Sequence, residues 1–199
     1  FTGRSINEIN LYSTEMSSAL CSIDRVSASA NMNNRLSEAI VEAYKSTNGT
    51  PISFELMLKC YQSRMKDANN DDSISSVLKQ LVNAHIFESE DKVSLIDDSY
   101  IIKMDGYPKD GPIAKAIVYF LMSKLNNIYE LLDKQAVNDE VVQIRHFSII
   151  DEAHYMLDFD NRPLRNLIAV GRNKGLSIIL ATQNMSSFKS KGFDFYANA

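Results

Sequence analysis

Between residues 31 and 84 the apolar positions fall at helical spacing. Leu36, Ile40, Ala43 and Tyr44 predict a helix over 31–47, ended by Asn48-Gly49. Pro51-Ile52-Ser53 opens a second helix, with Leu56, Cys60 and Tyr61 on its buried side. Residues 66–72 are polar and turn-rich, so they predict a loop. Ser73 stands where a cap is needed for a third helix carrying Ile74, Val77, Leu78 and Leu81. A hairpin follows: a strand over 85–87, a charged turn over 88–92, a strand over 93–96. From residue 98 the pattern alternates. An apolar run over 99–104 predicts a strand, and Asp110-Gly111-Pro112 starts a long helix with proline where no N–H is needed. That helix carries Ile113, Ile117, Phe120, Leu121, Leu125, Ile128 and Leu132 on one side. A polar link over 134–140 leads to a strand over 141–150. A helix over 161–174 follows, opened by Pro163 and closed by Gly175, then a strand over 176–181.

Strands apolar on both faces and separated by helices predict a parallel sheet covered on both sides. The chain therefore divides into a mainly α-helical region over 1–97 and an α/β region over 98–199. Three helices and a hairpin in the first region fit a winged-helix-like unit, which would bind DNA. A helical insertion packed on a larger core fits them better. The helix that would read DNA, over 73–84, has Lys79 as its single basic residue and lies beside Asp71 and Asp72.

Composition narrows the function classes. Of 199 residues, 45% are hydrophobic, enough for a buried core, and the net charge of -4 argues against a protein that coats nucleic acid. The two cysteines, Cys21 and Cys60, sit outside any metal-ligand spacing and are expected to be reduced thiols. Three histidines and two scattered cysteines make a zinc site unfavourable. No apolar run approaches the roughly 20 residues that span a bilayer. The expectation is a cytoplasmic protein without a membrane anchor. The chain begins at Phe1 and stops at Ala199 soon after a core strand, which suggests a piece of something larger.

The residues that carry chemistry follow the strand over 141–150. It ends in Asp151-Glu152-Ala153-His154. In a parallel sheet, ligands bind beyond the C-terminal strand ends. Two carboxylates there suit nucleotide hydrolysis: Asp151 to hold Mg2+ through its water shell, Glu152 to orient and deprotonate the attacking water. The strand over 176–181 ends in Thr182-Gln183, which would place Gln183 beside Glu152. An amide there can bond both the water and a terminal phosphate. Arg172 has two readings: a cation suited to a helix C-terminus, or a charge that reaches a nucleotide in the same subunit or across a ring interface. Arg162 and Arg165 fit solvated positions better. His154 stands to contact neighbouring motifs; His85 and His146 suit structural roles.

The stretches SIIDEAHYML and IAVGRNKGLSIILATQNMSSF resemble the Walker B strand, the following helix and the sensor strand of the HerA/FtsK superfamily. SYIIKMDGYPKDGPIAKAIVYFLMSKL resembles the preceding element. The likeness covers residues 98–199 and is most specific over 147–184. It implies part of a RecA-like ATPase core that uses ATP and Mg2+. Asp151 would be the metal-ligating acid, Glu152 the base, Gln183 the sensor and Arg172 a candidate finger. It further implies a hexameric homo-oligomer that moves along DNA. The tail and the helical region are most similar to DptH-type ATPases, which work with other subunits of a defence complex in phosphorothioation-dependent restriction. One departure is plain. None of the seven glycines (3, 49, 106, 111, 171, 175 and 192) builds the phosphate loop GxxxxGK[ST]. The loop is expected upstream of Phe1, and this stretch alone should bind ATP weakly. Two rivals stay open. One is a superfamily 2 helicase fragment, although Ala181 stands where that family has serine. The other is a non-catalytic DNA- or partner-binding module on a relic motor fold.

Overall fold

The computed structural model describes residues 5–23, 28–47, 52–67, 70–87, 94–138, 141–157, 159–183, 189–190 and 193–194. The chain is mixed α/β and separates into two compact units. The first comprises Phe1–Glu88 with Gly111–Ile113; the second comprises Ser89–Asp110 with Ala114–Ala199.

The first unit is helical: α1 (Ile6–Ile23), α2 (Ala30–Ser46), α3 (Phe54–Gln62) and α4 (Ser73–Asn83). α1 packs on α2, α2 on α3, and α3 on α4. Leu20, Ile23, Leu36, Ile40, Tyr61, Leu78 and Leu81 are fully buried in this unit. Each helix starts on a side-chain cap. Ser29 and Ser53 accept the N–H groups of Met32 and Leu56. The cap of α4 is Asp72 rather than Ser73, in a reciprocal box with Ser75. Asp72 has a second role that explains this choice. Its Oδ2 accepts the Tyr61 hydroxyl at 2.6 Å and pairs with Arg35 at 3.4 Å. A serine at the next position offers no such carboxylate. In α3 it is Met57 that is buried with Cys60 and Tyr61, while Leu56 is half-buried. Cys21 and Cys60 are free thiols, and burial, then Asp72, pushes the Cys21 thiol up to about 12.

The expected hairpin after α4 differs. Residues 84–87 form a turn, with His85 at φ 50 and Phe87 at φ 63, values that extended chain cannot adopt. Residues 95–97 are also a turn, and the charged segment 88–93 lies outside the described residues. A winged-helix hairpin is therefore not what the described part forms. The run over 99–104 is not a strand either. Ile101 is 89% exposed, and with no strand beside it among the described residues the run's apolar content does not make it one.

The second unit holds α5 (Pro112–Leu131) from Ala114 onward, β1 (Val137–Asn138), β2 (Val141–Val142), β3 (His146–Ile150), α6 (His154–Leu157), α7 (Arg162–Val170), β4 (Leu176–Leu180), β5 (Lys189–Ser190) and β6 (Phe193–Asp194). The single strand expected over 141–150 is broken: β2 pairs antiparallel with β1, inside the expected polar link, and β3 begins four residues later. The helix expected over 161–174 is α7, capped by Asn161, followed by a 3-10 turn over Arg172–Lys174. Gly175, at φ 82, then turns the chain into β4. β3 and β4 are parallel, with His146 opposite Leu176 and Ile150 opposite Leu180. The even positions of both strands face a core made with Met122, Leu125 and Tyr129 of α5 and Leu164, Leu167 and Ile168 of α7. The odd positions do not: Phe147, Ile149 and Ile179 are 58%, 69% and 45% exposed. Among the described residues the expected cover on both faces is thus present on one. Among the described residues no helix is long and apolar enough to cross a membrane.

Candidate functional site

The C-terminal ends of β3 and β4 lie side by side because the strands are parallel and in register. Past the last ladder pair, the Ala181 N–H donates to the Ile150 carbonyl at 2.9 Å, and the Ala153 N–H donates to the Ala181 carbonyl at 2.7 Å. These bonds carry the two exits onward together. Asp151 is exposed on the first turn, and its Oδ1 accepts the Glu152 N–H at 2.9 Å. Glu152 itself has φ 50, a left-handed backbone that costs a non-glycine residue roughly 1–3 kcal/mol. That bend turns its side chain toward β4, where Gln183 Nε2 donates to Glu152 Oε1 at 2.8 Å. The acid pair and the amide that the sequence placed at neighbouring strand ends are brought together here.

Glu152 Oε2 is buried and makes no hydrogen bond. His154 Nδ1, on the first residue of α6, stands 3.3 Å from it and 3.4 Å from the Thr182 hydroxyl. The imidazole also lies against the Tyr155 ring, with centroids 4.1 Å apart. Lys109 Nζ lies 5.9 Å from the centroid of that Tyr155 ring. Residue-by-residue reading left His154 with only a general capacity for contact. The His-after-acid-pair spacing was the available signal, but its partner Thr182 is distant in sequence.

Arg172 is placed elsewhere. It is exposed on the 3-10 turn before β4, whereas Gln183 follows β4. The first and last of the five residues of β4 lie about 13 Å apart at ~3.3 Å per step. That is farther than an arginine side chain spans, so Arg172 does not reach Glu152 of its own chain. Arg172 and Lys174 both lie in the turn that follows α7, and Lys174 Nζ donates to the carbonyls of Tyr129 and Glu130 at the end of α5. Arg165 pairs with Asp160.

Among the described residues no three His, Cys, Asp or Glu groups cluster as a metal cage. What the strand ends offer a cation is the exposed Asp151 carboxylate. Magnesium suits such a site, because it takes one or two carboxylates and fills its shell with water and phosphate oxygens. Compared with known proteins, the chain matches no protein-family model and no curated protein.

Proposed function

We propose that this chain is the Walker B and sensor half of a RecA-like, ATP-driven DNA translocase of the HerA/FtsK kind. In the narrower form of the reading it serves a phosphorothioation-dependent restriction system in the cytoplasm, as a homo-hexamer working with other subunits on DNA. The observation that carries the reading is the 2.8 Å bond between Gln183 and Glu152 across parallel strand ends, with Asp151 exposed beside it.

In this reading Asp151 is the residue that would hold Mg2+. The bound ion would neutralise charge on the phosphate oxygens of ATP. Glu152 orients the attacking water and takes its proton. Gln183 bonds the water and the terminal phosphate, and passes the nucleotide state to the segment after β4. The phosphate-binding loop comes from chain outside these 199 residues. Arg172, out of reach of its own Glu152, acts on a neighbouring subunit's nucleotide.

The test is ATP turnover of the intact protein, with and without DNA. Hydrolysis stimulated by DNA is expected, and Glu152→Gln should lower it by about 10^2-fold or more, the usual contribution of a general base. Equal turnover in the two proteins removes Glu152 from the chemistry. Loss of turnover without any response to DNA sinks the translocase part.

A further inference from the structure

Resting on that reading, we infer that His154 is the positioning residue that holds the Glu152 carboxylate against the exit of β4. Three contacts and one covalent link form a closed circuit. Glu152 Oε1 accepts from Gln183, Gln183 is bonded in the chain to Thr182, the Thr182 hydroxyl meets His154 Nδ1, and His154 Nδ1 meets Glu152 Oε2. The circuit has a physical need behind it. Glu152 sits on a left-handed backbone, and a buried carboxylate oxygen without a hydrogen bond is costly to maintain. His154 is the polar group the fold brings to that oxygen.

The imidazole is itself confined. It begins α6, its ring is packed on Tyr155, and its side chain is about one-quarter exposed. A ring held in this way limits how far the carboxylate can turn while Oε1 stays on Gln183 and Oε2 stays 3.3 Å from His154 Nδ1. The same ring touches Thr182, next to the sensor amide, so a displacement of the β4 exit is transmitted to the base through a second route besides Gln183. His154 touches no reacting atom; it acts through Glu152.

The experiment compares His154→Ala, His154→Asn and Glu152→Gln in the intact protein. His154→Ala should lower kcat about tenfold or more while KM for ATP stays within about twofold, because the loss falls on the chemical step. His154→Asn keeps a polar atom near the Nδ1 position and should recover most of the loss. Wild-type turnover in His154→Ala, or equal impairment of the Ala and Asn variants, overturns the inference while leaving Glu152 as the base. Unchanged turnover in Glu152→Gln instead removes the base reading and this inference with it. A second measurement does not depend on activity. In urea unfolding of this chain, Glu152→Gln and His154→Ala should be non-additive, the double variant losing less than the two singles together. Additive losses mean the contact does not couple, and the positioning role fails.

Discussion

His146, the first residue of β3, sits edge-on to Tyr129, their ring centroids 6.4 Å apart. Burial lowers its affinity for a proton below the ordinary value of 6.5. The unfolded chain therefore binds a proton at a pH where the folded chain does not, and stability falls as pH drops through that interval. We expect the urea midpoint to decline from pH 6.5 toward pH 5 in the wild-type chain, and His146→Gln to flatten part of that decline. An identical slope in both proteins would place the titrating group elsewhere. Asp72 makes the same residue-scale point about legibility. Its neighbour Ser73 is an equally good cap by type, and what selects the aspartate is the buried Tyr61 hydroxyl, eleven residues away.

At the scale of elements, the parallel pair depends on how β4 is entered. Gly175 has φ 82, and a Cβ there would meet the Gln143 carbonyl oxygen at 2.7 Å and the Arg145 nitrogen at 3.0 Å. Its carbonyl accepts the N–H groups of Arg145 and His146, fixing the start of β3 against the start of β4. Gly175→Ala should therefore destabilise the chain by roughly 2–4 kcal/mol, the left-handed penalty of ~1–2 kcal/mol plus displacement of backbone. Urea unfolding measures it, and a change under ~0.5 kcal/mol would mean the turn relaxes freely. The glycine was legible as a helix stop. The failure of the strand over 99–104 was not, because apolar content signals burial or pairing only when a partner exists.

Across the whole molecule, the two-stranded parallel sheet keeps one face open. Parallel strands are ordinarily covered on both sides, yet Phe147, Ile149 and Ile179 together present an apolar surface. The native chain is expected to bind a hydrophobic dye such as ANS. Ile149→Lys should reduce that signal while changing stability by no more than about 0.5 kcal/mol, as an exposed position allows. A larger fall in the urea midpoint would show that Ile149 packs against something in solution. Strand periodicity alone could not distinguish a covered face from an open one, since both read as apolar.

By itself the sequence determined the local choices: where α2, α5 and α7 begin, that residues 146–150 and 176–180 are extended, and that Asp151, Glu152 and Gln183 stand at strand exits. Those follow from periodicity, caps and chain-breaking residues within a few positions of one another. Tertiary structure alone decided which cap α4 uses, that Arg172 lies at the far end of the sheet from Glu152, and that His154 bridges Glu152 to Thr182. Each of these depends on distances between residues remote along the chain: the α4 cap on the packing that brings Tyr61 to Asp72, the other two on the pairing of β3 with β4.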